Sequence, residues 1–189
     1  MKVTSNVKKL SLVIGIGLLI GIFSYISEAK EKVDAQTMEA ESQLCLAKNI
    51  YFEARDQPTK GQIAVALVTI NRVNSKRFPD TICRVIRQAS RYKNGKPKKN
   101  KCQFSWYCDG ISDKPKERLA WKISLLISRA MLKQPGVQIK HYGEKWEIED
   151  FLNGAKHYHR IDVNPYWNRK MLKVVTIGDH IFWKDYVNE

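Results

Sequence analysis

The chain has 189 residues, with 33 Lys+Arg against 19 Asp+Glu and a formal net charge of +14. That length holds one domain of moderate size, with or without an appendage, and excludes a large multidomain architecture. A hydrophobic fraction of 43% with 10% aromatics excludes a disordered polycation, so a core forms and the excess charge sits on its surface, where it favours an anionic partner: nucleic acid, anionic lipid or an anionic polymer.

The first segment narrows that choice. Leu10 to Ile26 contains no charged side chain, and Lys2, Lys8 and Lys9 precede it without an acid. This is the layout of an export signal. At about 1.5 Å per residue the segment reaches roughly 25 Å as a helix, close to the thickness of a bilayer core. Two readings stand: cleavage after Ala29, with the small Ser27 three positions before the cut, or an uncleaved anchor whose lysines hold the N-terminus in the cytoplasm. Residues 1–29 are thus a signal peptide or membrane anchor, 30–41 a polar linker, and 42–187 the working domain. On either reading the domain is exported, to the periplasm or cell envelope, and the membrane is a partner only if the segment is retained. Residues 30–189 keep 30 basic against 18 acidic side chains, a net +12, so the charge belongs to the exported part and nucleic acid is not expected as its partner. Four cysteines, Cys45, Cys83, Cys102 and Cys108, are an even number in an exported chain and predict disulfides, with three pairings possible. None of them forms the close pair that a zinc site uses.

Further along, Leu46, Ile50 and Glu53 fall on one face of a helix that starts near Ser42 and stops at Pro58. Thr59 is placed to cap a second helix over 60–74, in which Ile63, Leu67 and Ile70 mark a core stripe and Ala64 to Val68 is apolar all round, the pattern of a central buried helix. Asp80 is placed to cap a short helix running to Gln88. Thr81 to Cys108 has no acid but eight basic residues, Arg84, Arg87, Arg91, Lys93, Lys96, Lys98, Lys99 and Lys101, and Asn94-Gly95 with Pro97 reads as loop. Leu119, Ile123, Leu126 and Ala130 predict another amphipathic helix, ended by Pro135-Gly136. Lys156 to Arg160 reads as a short strand, and Lys173–Ile177 with His180–Trp183 as a hairpin turning on Gly178-Asp179. The fold class is α+β: mostly helical, with a small C-terminal β element, behind an N-terminal hydrophobic helix.

Three places have residue types suited to chemistry. Glu53 sits in Asn49-Ile50-Tyr51-Phe52-Glu53-Ala54-Arg55. A carboxyl against aromatic and apolar neighbours resists ionisation, and its raised pKa makes it a general acid near neutral pH; the plainer alternative is a surface glutamate paired with Arg55 or Lys60. Cys102-Gln103-Phe104-Ser105-Trp106-Tyr107-Cys108-Asp109-Gly110 combines flat rings with amide and hydroxyl groups, which suits a sugar cleft and equally a disulfide-closed loop with core aromatics. His157 and His159 lie on one face of a strand, and with His180 they make a possible but weak metal set. The favoured reading needs neither metal nor cofactor.

These stretches resemble the cell wall hydrolase family that includes the spore cortex-lytic enzymes, in the form found in Gram-negative bacteria and their phages. The resemblance runs through Cys45–Arg72, Phe78–Cys83, Cys102–Gly110 and Gly154–Trp183, in family order, and so covers nearly the whole exported domain. It implies a lysozyme-like catalytic domain related to lytic transglycosylases, acting on peptidoglycan glycan strands at the β-1,4 bond between N-acetylmuramic acid and N-acetylglucosamine. It places the catalytic glutamate at Glu53. One departure matters: where the family usually has E-A-R-G-E, this chain has Glu53-Ala54-Arg55-Asp56-Gln57, and an amide at 57 cannot act as acid or base. A standard glycosidase needs two carboxylates, with Asp109 or Asp162 as candidates here; a lytic transglycosylase, by resemblance, needs one. Gln103 and Ser105 are expected to hydrogen-bond N-acetyl or hydroxyl groups. Tyr51, Tyr158 and Tyr166 are expected to line the cleft or to steady the oxocarbenium-like state, and Trp106 and Trp167 to stack on sugars. The rival readings are a hydrolysing muramidase on the same site, a zinc amidase using the three histidines, and a basic wall- or lipopolysaccharide-binding protein without activity.

Overall fold

The structure is a computed structural model. It describes residues 25–133 and 150–186 with their side chains, and the backbone of 3–24, 139–141 and 144–146. The chain divides into two compact units, residues 1–40 and 41–189. The first is helical from Val3, as the leading part of α1, Val3–Ala54. No Gly or Pro falls between residues 22 and 57, so nothing in the polar stretch 30–41 breaks a helix, and a Lys32–Glu28 ion pair (2.8 Å) adds local support. The apolar segment Leu10–Ile26 lies almost wholly outside the residues described with side chains; among the described residues no helix is long and apolar enough to cross a membrane.

The second unit is α+β and mostly helical, with a small C-terminal antiparallel sheet. The end of α1 packs with α2 (Thr59–Val73), α3 (Ile82–Ile86) and α4 (Arg118–Leu132). Leu46, Ile50, Ile63, Val68, Val85, Ile86, Ile127, Leu152 and Phe182 belong to one buried cluster, each such side chain contributing about 1.5–3 kcal/mol by leaving water. α1 ends because the Gln57 amide folds back onto the Ala54 carbonyl (2.9 Å) and Pro58 has no N–H to continue the ladder. Pro58, not Thr59, occupies the N-cap of α2, where its carbonyl accepts from Gly61 and Gln62. In α3 the cap is Thr81, whose side chain accepts from the Arg84 amide, while Asp80 pairs instead with the Arg84 guanidinium at 2.7 Å.

Two further expectations change. On α4, Leu119 and Leu126 are 64% and 60% exposed; the buried face carries Ser124, Ile127, Ser128 and Met131. The two serines bond back to the carbonyls of Ala120 and Leu125, so they enter the interior with their hydroxyls satisfied. The basic run is loop only around Asn94-Gly95. It forms a hairpin, β1 (Ala89–Arg91) against β2 (Pro97–Cys102), closed by Tyr92 N–H to Lys96 O (2.9 Å) with Gly95 at φ +80°. A second hairpin, β3 (Ile139–His141) and β4 (Glu144–Trp146), had no clear sequence signal; Pro135-Gly136 lies outside the described residues. The cysteines pair as Cys45–Cys83, tying α1 to α3, and Cys102–Cys108, tying β2 to the 3₁₀ turn Ser105–Cys108.

The C-terminal sheet has the order β5-β7-β6, from β5 (His157–Arg160), β6 (Leu172–Ile177) and β7 (His180–Lys184). Tyr158 pairs with Phe182, and Arg160 with His180. Period-two alternation therefore puts Tyr158, Arg160, His180 and Phe182 on one face, and His157, His159, Ile181 and Trp183 on the other.

Candidate active site

The helices and the sheet meet at a cleft of about 460 Å³, lined by residues from four segments. α1 supplies Phe52 and Glu53, and Asp56 follows just beyond its end; α2 supplies Arg72; the disulfide-closed turn supplies Gln103, Phe104 and Ser105; the sheet supplies Tyr158, Arg160 and His180. A buried hydrogen-bond chain holds the first three segments in register. Trp106 Nε1 donates to Asn49 Oδ1 (3.0 Å), Asn49 Nδ2 to Thr69 Oγ1 (3.2 Å), and Thr69 Oγ1 to the Val65 carbonyl. Phe52 stacks on Trp106 at 4.9 Å between ring centroids. Glu53 follows directly, half-buried at the cleft wall.

The sheet is fastened by a second device. Gln57, buried, accepts from the Asp179 amide through Oε1 (2.8 Å) and donates to Asp179 Oδ2 through Nε2 (3.2 Å). Gly178 turns there at φ +54°, and a Cβ on it would run into Gln57 Oε1. Gln57 thus clamps the β6–β7 turn onto the end of α1 and is not among the cleft-lining residues. A glutamate at 57 would set its carboxylate against that of Asp179.

The fastened sheet delivers Tyr158 to Glu53. The tyrosine hydroxyl donates to Glu53 Oε2 at 2.8 Å. Burial pushes the Glu53 carboxyl above its ordinary 4.5, against the lowering effects of the Tyr158 hydrogen bond and of the Arg72 charge. Tyr158 is itself driven well above 10.0, first by burial and then by Glu53, so it remains a donor. Arg72 is only 5% exposed. Its guanidinium lies between the rings of Phe78 (5.3 Å) and Phe104 (5.1 Å), its Nε donates to the Lys156 carbonyl (2.8 Å), and its Nη1 is buried without a partner. Burial lowers its pKa below the ordinary guanidinium range, with Tyr158 and Glu53 opposing.

Of the residues expected from sequence, Glu53, Gln103, Ser105 and Tyr158 line the cleft. Tyr51 does not: it is buried, and its hydroxyl accepts the amides of Lys116 and Glu117, both at 3.0 Å, to hold the approach to α4. Trp106 belongs to the buried network above. Tyr166 is 84% exposed, and Trp167 packs on His157 and His159 across the outer sheet face; neither lines the cleft. Arg72, Asp56 and Arg160 do, and were not expected. Their signal was thin, although Arg72 falls four residues after Val68 on the buried stripe of α2. Asp109 and Asp162 do not line the cleft; Asp109 accepts from the Ile111 amide (2.7 Å) and Asp162 from Arg160 Nε (3.1 Å).

The three histidines do not converge, because the sheet register puts His180 opposite His157 and His159. Among the described residues the one metal-like grouping is Glu41, Cys45 and Cys83, and both cysteines are consumed in a disulfide. His157 packs between Phe78 and Trp167 instead. Burial, then Arg72, lowers its pKa from 6.5 to about 4; Asp185 opposes, while Arg77 and Lys156 add to the lowering. The unfolded chain takes up a proton near 6.5 that the folded domain refuses until about 4, so stability falls as pH drops through that window. His157→Phe is expected to flatten the dependence of Tm on pH between 6.5 and 4, measured by thermal melts; an unchanged slope would count against this placement.

Residues 56–183 match the family model described as Cell Wall Hydrolase. The chain belongs to the cell wall hydrolase family. Its relatives include the spore cortex-lytic enzymes of Oceanobacillus iheyensis, 54% identical over 41 residues (22% of this chain, 15% of the relative), and of Bacillus subtilis, 49% identical over 41 residues (22% and 13%). The matched stretch is thus a small fraction of those relatives' own length. Among solved structures, the catalytic domain of the germination-specific lytic transglycosylase SleB from Bacillus anthracis is similar at a TM-score of 0.49 and 26% identity, over 76% of this chain and 93% of that one. The catalytic domain of the Bacillus cereus SleB protein is similar at a TM-score of 0.47 and 25% identity, over 76% and 91%.

Proposed function

We propose that this cell wall hydrolase degrades peptidoglycan as a lytic transglycosylase, cleaving the β-1,4 bond between N-acetylmuramic acid and N-acetylglucosamine with Glu53 as the acid and base. The observation that carries the reading is the half-buried Glu53 carboxyl, raised by burial and held by the Tyr158 hydroxyl in an open cleft. The protonated carboxyl gives its proton to the glycosidic oxygen, and the bond to the muramoyl anomeric carbon breaks. The resulting carboxylate is stabilised by the Tyr158 hydrogen bond and the Arg72 charge. It then takes the proton of the muramoyl 6-hydroxyl as that oxygen closes on its own anomeric carbon, giving a 1,6-anhydro end and restoring the acid. The nucleophile is part of the substrate, so proximity replaces a second enzyme carboxylate. Gln103 and Ser105 offer amide and hydroxyl groups for sugar recognition. Export by the N-terminal segment, cleaved or retained as an anchor, carries the domain to its substrate.

A hydrolytic reading has one observation in its favour: Asp56 lines the same cleft and is a carboxylate able to activate water. Product masses from purified sacculi separate the two. Transglycosylation is expected, with anhydro ends lighter by one water than the reducing ends of hydrolysis; reducing ends, lost in Asp56→Asn, would establish the alternative.

A further inference from the structure

The β1–β2 hairpin is charged in a way the cleavage chemistry does not use. Arg84 and Arg87 near its base are paired with Asp80 and Glu41, and Arg91 donates to the carbonyls of Gly95 and Arg87. Lys93, Lys96, Lys98, Lys99 and Lys101 are exposed, and among the described residues none of them pairs with a carboxylate. Such a one-sign surface repels itself unless an anionic partner covers it.

Its position says which partner. β2 ends at Cys102, the disulfide joins Cys102 to Cys108, and Gln103 and Ser105 between them line the catalytic cleft. The Gln103 amide donates to the Gln88 carbonyl at 2.9 Å, which closes the hairpin base. A second pocket, of about 290 Å³, opens there. It is lined by Gln88, Ala89, Ser90, Lys101, Cys102 and Gln103, and so shares Gln103 with the cleft. Gln88 Oε1 is buried without a partner. The pocket walls carry the Ser90 hydroxyl and the Lys101 ammonium beside backbone amide groups, which match the polar and anionic groups of a peptide carboxylate. While the peptide is attached, the muramoyl lactyl carboxyl is tied up as an amide and the sugar backbone itself is uncharged. The anionic, amide-rich part of peptidoglycan is the stem peptide on each muramoyl residue.

We propose that the hairpin and the pocket at its root bind the stem peptide of a muramoyl residue whose sugar lies in the cleft, so that the preferred substrate is peptide-bearing glycan. This rests on the function proposed above. Full-length protein is compared with its Lys98→Glu/Lys99→Glu/Lys101→Glu variant on peptide-bearing glycan strands and on the same strands stripped of peptide by an amidase. The wild type is expected to favour peptide-bearing strands roughly tenfold in kcat/KM, and the variant to bring that ratio to about one. Equal wild-type rates on both strands, or equal slowing of both by the variant, would overturn the proposal. So would rates that respond to the lysines only when a phosphate-rich polymer is added, which would make the hairpin a phosphate-binding surface. A catalysis-free arm titrates free tetrapeptide stem into Glu53→Gln protein by calorimetry. Binding that weakens with salt, because charges are screened beyond about 10 Å at 0.1 M, and that disappears with the triple substitution supports the site even if the cleavage chemistry is wrong; no binding sinks it even if cleavage is as proposed.

Discussion

Glu53→Gln is expected to lower the rate of sacculus cleavage by at least about 10³-fold, since one group serves both proton transfers and each is worth about 10²–10⁴. The amide has the same shape, and its Oε1 still accepts from Tyr158, so the cleft keeps its form. The same substitution is expected to raise Tm at neutral pH. In wild type the folded state resists ionising this carboxyl while the unfolded chain ionises it near 4.5. Stability therefore declines as pH rises above that value, and the variant escapes the decline. For a domain of this size each 1 kcal/mol moves Tm by about 2–4 °C. A gain at pH 7 that closes towards pH 4, beside lost activity, is the signature of an acid held against its own solvation. Undiminished lysis by Glu53→Gln would end the glutamate mechanism.

Arg72→Met is expected to cut kcat by about 10²-fold, comparable to the loss of a fixed charge-stabilising donor, and to move the alkaline limb of the pH–rate profile. The sign comes from the site. A general acid must start protonated, so activity falls as pH rises through its pKa. Arg72 lowers the Glu53 pKa; without the cation the pKa rises, and the limb shifts to higher pH even as the rate drops. Tyr158→Phe removes the other lowering influence and should shift the limb the same way. Met keeps the apolar contacts between Phe78 and Phe104, and Arg72→Lys, which keeps the charge, should restore the limb. A rate loss with an unmoved limb would make Arg72 a packing residue only.

Much of the scaffold was legible in local pattern. α2 and the β6–β7 hairpin arise from apolar runs bounded by Pro58 and by Gly178-Asp179, and Glu53 stood out by its aromatic surroundings. Aromatic roles were not legible. Tyr51, Trp106, Tyr166 and Trp167 are chemically as fit for a sugar as Tyr158, and only long-range packing sends two of them inside and two to the outer surface. The lysine-rich hairpin was missed because lysine is a poor strand former, while the Cys102–Cys108 bridge and the Gln103–Gln88 bond that fix its base were unknown. On α4 the leucines misled, since Ser124 and Ser128 could hide their hydroxyls on the helix backbone. The departure at Asp56-Gln57 was visible, but its meaning was not. The amide belongs to a clamp on the sheet, and the carboxylate one residue earlier lines the cleft.

The clamp has a consequence for timing. Glu53 and the tyrosine that holds it are 105 residues apart, and the turn gripped by Gln57 is 122 residues beyond it. A chain emerging N-terminus first presents its glutamate long before its sheet, so a nascent or half-translocated molecule carries the acid without the partner that aligns it. On the function and export proposed above, latency follows from the order of the chain, and the wall would meet an assembled site only after the final hairpin has locked.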